Sequence, residues 1–87
     1  MNDAVFTLSA YPNSVKNILN IKILSGANNK MQVIDLSGKL LLNKVINTGN
    51  GENLMSLNVS KLTPGTYFLK ILSADDKEYA MKKFVKQ

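Results

Sequence analysis

Hydrophobic and polar residues alternate in short stretches along this chain, and residues typical of turns separate the stretches. An alternation with a period of two places one set of side chains on each face of a β-strand. The pattern is clearest in Asn17–Leu24, Glu52–Val59 and Thr66–Ser73, and no stretch fits a helical period better. The pattern therefore predicts about seven strands: Val5–Ala10, Asn17–Leu24, Lys30–Leu36, Lys39–Asn47, Glu52–Val59, Thr66–Ser73 and Glu78–Lys86.

This number of strands with long-range returns predicts an all-β fold, an immunoglobulin-like antiparallel β-sandwich, and a small closed barrel is the alternative. The 87 residues are expected to form a single domain (1–87, core 8–87). We expect the domain to be a piece of a larger secreted protein. The stretch Ala4–Ala10 lacks a basic flank, so a targeting peptide is expected further upstream.

Three connections carry specific turn chemistry. Asp35 and Gly38 occupy the first and fourth positions of a type I turn, which predicts a hairpin with Gly38 in the left-handed region. Pro64 followed by Gly65 predicts a type II turn that carries the chain from one sheet to the other. The segment Tyr11–Asn13 contains a proline and predicts a rigid crossing between the first two strands.

The run Leu40–Leu42 is apolar on both faces of its predicted strand. Such a run is typical of a central strand or of a covered surface. It is also the segment of the chain most prone to aggregation.

Composition argues against an enzyme. The chain has no Cys, no His and no Trp, so it has neither a thiolate nucleophile nor the commonest general base and metal ligand. Asp75, Asp76 and Glu78 offer oxygen ligands for a weak calcium site, but a solvated turn is the preferred interpretation. The sequence therefore predicts no catalytic residues, no metal and no cofactor.

The net charge of +5 comes from eleven Lys and no Arg. Base readout in nucleic acids relies heavily on Arg, so no nucleic-acid partner is predicted. Lys22, Lys44 and Lys70 are predicted at solvent-facing or edge positions, where lysine prevents unwanted strand pairing. Further lysines give the last eleven residues a net charge of +3, from four Lys and one Glu.

A carbohydrate-binding or surface-adhesion module is the alternative function, because many such modules are β-sandwiches. Sugar platforms need exposed aromatic side chains, and only Tyr11 and Tyr79 are predicted to be exposed. Tyr67 alternates with Leu69 and Ile71, so it is predicted in the core with its hydroxyl bonded to nearby backbone.

The order of four motifs resembles the type A C-terminal sorting domain of the type IX, or Por, secretion system of certain Gram-negative bacteria. The motifs are Tyr11-Pro12-Asn13-Ser14, Asp35-Leu36-Ser37-Gly38-Lys39, Ser60 to Tyr67 with Leu62, Pro64 and Gly65, and the basic-apolar Lys82-Lys83-Phe84-Val85-Lys86. Ser14 departs from the family pattern, which prefers a second proline there.

The resemblance implies a non-catalytic signal domain that directs an exported cargo protein through the periplasm and across the outer membrane. The expected partners are the outer-membrane secretion machinery, namely a shuttle protein and a sortase-like peptidase that usually removes the domain. The expected location is secreted or on the cell surface, and no apolar run is long enough to span a bilayer. Weak self-association through strand edges is a further expectation.

The predicted functional residues fall into two groups, one for recognition and one for maintenance of the fold. Recognition by the machinery is assigned to Gly65, Tyr67, Lys82, Lys83, Phe84, Val85 and Lys86. Maintenance of the fold is assigned to Tyr11, Pro12, Asn13, Asp35, Gly38, Lys39, Leu62 and Pro64.

Overall fold

The computed structural model describes residues 7–25, 29–46, 51–73, 77 and 79–87, and β-strands account for most of them. Val5, Phe6, Asn47 and Glu78, which belong to predicted strands, lie outside these ranges. Apart from these residues, each predicted strand end lies within one residue of the observed end. The strands are β1 (Thr7–Tyr11), β2 (Ser14–Val15), β3 (Ile18–Ser25), β4 (Asn29–Asp35), β5 (Leu40–Ile46), β6 (Gly51–Asn58), β7 (Gly65–Ser73) and β8 (Tyr79–Lys86).

The strands form two sheets that pack face to face. One sheet has three strands in the order β1-β3-β6, and the other has five in the order β2-β8-β7-β4-β5. The predicted two-layer sandwich is confirmed, and the closed alternative is wrong. One strand was missed: β2 has only two residues, too few for an alternation to show. It also pairs with β8 in parallel, so the expectation of a wholly antiparallel fold is wrong at this pair.

The core lies between the middle strands of the two sheets. Leu19, Ile21 and Ile23 of β3 and Leu69 and Ile71 of β7 are fully buried and belong to one apolar cluster. Burying each such side chain contributes roughly 1.5–3 kcal/mol relative to leaving it exposed. The alternation seen in these two stretches therefore marks the contact that holds the layers together.

The predicted hairpin between β4 and β5 is confirmed. The N–H of Gly38 donates to the carbonyl oxygen of Asp35 (3.0 Å), and Gly38 has a φ of 93°. The carboxylate oxygen Oδ1 of Asp35 accepts three further bonds, from the Ser37 N–H (2.9 Å), the Ser37 hydroxyl (2.7 Å) and the Lys39 N–H (2.9 Å). The Asp35 side chain thus holds the whole turn.

Replacing Asp35 by asparagine is expected to make stability less dependent on pH. Hydrogen bonds from the Ser37 hydroxyl and from the Lys39 main-chain N–H hold the pKa of Asp35 below its ordinary value. A lowered pKa in the folded state contributes stability above the unfolded-state pKa of about 3.9, and this contribution is lost as the pH falls through the folded-state pKa. Urea unfolding at pH 7 and pH 2 measures the effect.

Wild type should exceed Asp35→Asn in stability at pH 7, and the difference should shrink at pH 2. Ser37→Ala is the matched control, because it removes the largest cause of the lowered pKa and leaves the carboxylate. It should show an intermediate pH dependence. A difference between wild type and Asp35→Asn that is the same at both pH values would contradict this account.

The run Leu40–Leu42 lies in an edge strand, so the expectation of a central strand is wrong. β5 pairs only with β4, and a register shift between Val33 and Ile34 locally disrupts that pairing. Leu42 packs against the core, whereas Leu40 and Leu41 are exposed. The run is apolar on both faces although the strand is peripheral, so its exposed leucines need another explanation.

Two of the connections that change sheets were singled out by the sequence. The segment Tyr11–Asn13 leads from β1 in the three-stranded sheet to β2 in the five-stranded sheet, and its Tyr11–Pro12 peptide bond is cis. The segment around Pro64 leads from β6 to β7 and also changes sheet, as predicted. The expected type II turn is wrong, because Gly65 begins β7 with a φ of 156°. The hydrogen-bonded turn lies earlier, where the Leu62 N–H donates to the Val59 carbonyl (3.0 Å).

Candidate functional site

The last strand, β8, is held on both sides near its C-terminal end. It pairs with β7 along its whole length, and β2 pairs with it only at Val85 and Lys86. The Val85 N–H donates to the Asn13 carbonyl and the Gln87 N–H donates to the Val15 carbonyl, each at 2.8 Å. The C-terminal end of β8 is therefore an inner part of the sheet.

The preceding part of β8 has no hydrogen-bonded partner strand on the side that faces β2, although β1 lies close to β8. Main-chain groups along a strand point alternately to its two sides. Since the N–H groups of Val85 and Gln87 point towards β2, those of Met81 and Lys83 point the same way, where none of the described strands pairs with them. The sequence prediction of an accessible last strand thus applies to this part alone.

The predicted recognition residues of β8 divide between two environments. Lys82, Lys83 and Val85 are exposed, whereas Phe84 and Lys86 are buried. The Lys86 ammonium donates to the carbonyl oxygen of Gln87 (2.9 Å), so this buried cation has a polar partner. A partner protein can reach the first three side chains without unfolding the domain.

The Phe84 side chain connects β8 with Tyr67 of β7 and, through Tyr67, with the segment that precedes β7. Its ring stacks on Tyr67 with centroids 5.6 Å apart and an angle of 21° between the planes. The Tyr67 hydroxyl donates to the Thr63 carbonyl (2.5 Å) and lies 3.1 Å from the Thr63 hydroxyl. The prediction that Tyr67 is a core residue bonded to nearby backbone is confirmed.

The four sequence motifs meet at one end of the five-stranded sheet, which we call the motif end. Its residues are defined by the strand register: Tyr67 lies between Phe84 and Asp35, and Gly65 lies opposite Lys86. Asn13 is bonded to Val85 on the other side of β8. Each motif therefore supplies a neighbouring strand or turn at the same end, although the motifs are far apart in the sequence.

The remaining motif residues support this end. Leu62 packs against the apolar core, and the main-chain N–H of Lys39 bonds to Asp35. Tyr11 ends β1 in the other sheet, where its carbonyl accepts a bond from the Asn20 side chain (3.3 Å). Sequence reasoning missed β2, whose only signal is a single apolar residue, Val15, among polar neighbours.

The described residues offer an apolar groove and no cluster of acids and bases. The groove has a volume of about 370 Å³ and lies between β5 and the end of β6, lined by Val33, Leu41, Leu42, Leu57, Asn58, Val59, Lys61 and Leu62. No group of three potential metal ligands of the His, Cys, Asp or Glu type occurs within the described ranges. The calcium candidates Asp75, Asp76 and Glu78 lie outside them.

The exposed tyrosines do not form a sugar platform. Tyr11 follows the inward-facing Ala10 on β1, and Tyr79 lies opposite Leu72, which is outside the core cluster, on the five-stranded sheet. The two rings are exposed on opposite outer faces of the sandwich. Nothing in this arrangement supports the carbohydrate-binding alternative.

Comparison with known families supports the motif-based interpretation. The model of the family described as secretion system C-terminal sorting domain matches residues 9–87. Searches of curated proteins and of solved structures returned no significant match. In the part of the chain that the structure describes, no helix is long and apolar enough to cross a bilayer. The chain belongs to the family of C-terminal sorting domains, the signals of type IX secretion that mark proteins for export to the cell surface or for release.

Proposed function

We propose that the motif end is the surface that the outer-membrane secretion machinery reads, through a shuttle protein and a sortase-like peptidase. One observation carries this proposal: four motifs from distant parts of the chain converge there. A recognition signal built from several strands exists only in the folded domain. The machinery would therefore read a shape as well as a short sequence.

The exposed residues of β8 are the contacts we propose. Lys82 and Lys83 supply positive charge that steers association with an acidic partner surface. The N–H groups of Met81 and Lys83, which pair with none of the described strands, are the main-chain groups proposed for strand addition, which gives affinity through backbone hydrogen bonds. Phe84 and Lys86 act by holding β8 in place.

The domain itself would perform no chemistry. The groove lining contains one titratable side chain, Lys61, and no carboxylate that could act as an acid or base with it. In the proposed scheme the domain is a substrate: it travels at the end of a larger cargo protein and the peptidase removes it near its N-terminal boundary. Weak self-association of the free domain through the outer edge of β5 is also proposed, since Leu40 and Val45 are exposed there.

A reporter protein fused to this domain tests the proposal in a bacterium that has type IX secretion. Deleting Lys83–Gln87 should abolish export to the cell surface, but it also removes the buried Phe84. A charge reversal at two exposed residues, Lys82→Glu with Lys83→Glu, avoids that problem. It should lower surface export about tenfold, because reversing charges at a recognition surface costs on the order of 1.4 kcal/mol.

Lys22→Glu with Lys44→Glu is the matched control, since both lysines are exposed and lie on β3 and β5, away from the motif end. It should leave export within about twofold of wild type. Each purified variant should unfold at the wild-type urea concentration. Export that is unchanged by the deletion and by the Lys82 and Lys83 reversal would refute the proposal.

A further inference from the structure

The outer face of the five-stranded sheet carries many apolar side chains. The register places two apolar rows across it. One row runs through Lys83, Phe68, Ile34 and Leu40, and the other through Tyr79, Leu72, Lys30 and Val45. The solvent face of an antiparallel sheet is normally polar, so two apolar rows indicate a surface that another molecule covers.

Exposed apolar side chains lie towards both edges of this face, and those between them, Ile34, Phe68 and Leu72, are half-buried or buried. Leu40 and Val45 on β5 are exposed, and so are Tyr79 and Met81 on β8. β5 and β8 are separated by β7 and β4. This outer face therefore extends well beyond the terminal strand, and it accounts for the exposed leucine of the edge strand β5.

The charges on this face are positive. Lys30, Lys70 and Lys83 lie on it, and the Lys70 ammonium lies 4.7 Å from the centre of the Tyr79 ring. The described residues of the two apolar rows, and of the row between them, include no Asp or Glu. Charge complementarity therefore requires an acidic partner.

A polar row separates the two apolar rows and argues for a protein partner over a lipid surface. It runs through Lys70, Gln32 and Asn43, and the apolar Met81 lies at its β8 end. The Gln32 amide donates to the side-chain oxygen of Asn43 (3.4 Å), which leaves other amide groups to be satisfied. Lipid hydrocarbon would strip water from these amides without replacing their hydrogen bonds, whereas a protein surface supplies donors and acceptors.

We propose that the outer face of the five-stranded sheet docks on a folded protein surface that combines apolar side chains with carboxylates. This inference rests on the proposed function and deepens it: the machinery would contact this face in addition to the motif end. β5 then becomes part of the recognition surface, although it lies at the opposite edge of the sheet from β2 and β8.

Two pairs of exposed residues provide a matched test. Leu40 and Val45 lie on the proposed face and are 47% and 71% exposed; Leu24 and Leu54 lie on the outer face of the other sheet and are 48% and 68% exposed. Leu40→Thr with Val45→Thr should lower surface export of the reporter fusion about tenfold, as expected when apolar contacts are lost from an interface. Leu24→Thr with Leu54→Thr should change it less than twofold, and urea unfolding confirms that both variants fold.

The contribution of the positive charge on this face is tested by separate substitutions. Lys70→Glu should also lower export about tenfold, whereas Lys16→Glu should not. Equal effects of the two threonine pairs, or no effect of Lys70→Glu, would overturn the inference.

Vesicle binding tests the choice of a protein partner. Wild-type domain should not bind vesicles of phosphatidylglycerol and phosphatidylcholine, and binding that Leu40→Thr with Val45→Thr abolishes would overturn that choice. If the Lys82 and Lys83 reversal blocks export and the Leu40 and Val45 pair does not, this inference fails while the proposed function stands.

Discussion

Replacing Phe84 by alanine is expected to lower the free energy of unfolding by about 3–5 kcal/mol. The ring is fully buried and stacks on Tyr67, so its loss removes apolar contacts and leaves a cavity between the last strand and the corner before β7. A small domain has only about 5–15 kcal/mol of stability, so the variant should be close to unfolding. Urea denaturation followed by circular dichroism measures the change.

Val85→Ala is the matched control for this prediction. Val85 is the next residue along β8, but its side chain points to the opposite face and is partly exposed. The expected loss is less than about 1 kcal/mol. A loss for Phe84→Ala no larger than that for Val85→Ala would contradict the assignment of Phe84 as a core residue.

A second substitution at Phe84 distinguishes two ways in which the secretion machinery could recognise the C-terminal motif. Phe84→Leu keeps the site apolar and should cost about 1.5 kcal/mol, which leaves the domain folded. If Phe84 acts by holding β8, a folded Phe84→Leu domain should still be exported. Loss of export in a folded variant would mean that the aromatic ring itself is recognised.

Placing a carboxylate at Val15 is expected to have an effect of similar size. Val15→Asp should lower the free energy of unfolding by roughly 3 kcal/mol or more at pH 7, because the side chain is fully buried and the ammonium of its register partner Lys86, already bonded to Gln87, offsets only part of the cost of burying a carboxylate. The main chain of Val15 accepts the bond from Gln87, so displacing this residue also frees the end of β8. Thermal and urea unfolding check the prediction.

Lowering the pH and moving the new carboxylate to the neighbouring residue provide two controls. Burial should raise the pKa of the new carboxyl group, so the loss should diminish below about pH 4, where the group is neutral in both the folded and the unfolded state. Ser14→Asp puts the same charge on the exposed neighbour and should cost less than about 0.5 kcal/mol. If Val15→Asp does not fold, Val15→Ala should still show a loss of roughly 1.5–3 kcal/mol. A stability of Val15→Asp equal to that of Ser14→Asp would show that β2 does not anchor the last strand.

These two predictions describe one physical arrangement. On one side of β8, Asn13 and Val15 accept main-chain bonds from Val85 and Gln87, and on the other side β7 pairs with Val85 and Lys86. If the proposed recognition residues of β8 are the signal, it is presented correctly only after the rest of the domain has folded. This arrangement would let the secretion machinery distinguish a folded cargo tail from an unfolded one.

The amino-acid sequence by itself predicted seven of the eight strands, favoured the sandwich over a barrel and carried the family resemblance. Alternation revealed β3, β6 and β7 because a period of two is a local property that neighbouring residues express. The Asp35 turn was equally visible, since the carboxylate and Gly38 act within five residues. The four motifs carried the family resemblance because their order is a property of the chain.

Only the tertiary structure decided which motif residues are accessible and where the motifs meet. β2 and its parallel pairing join Asn13 to Val85, and no local pattern records a contact between residues so far apart. The sequence could not show that β5 lies at an edge, because an apolar run has the same pattern in a strand with two neighbouring strands as in a strand with one. Strand order depends on the sum of long-range packing contacts, and that sum exists only in the folded chain.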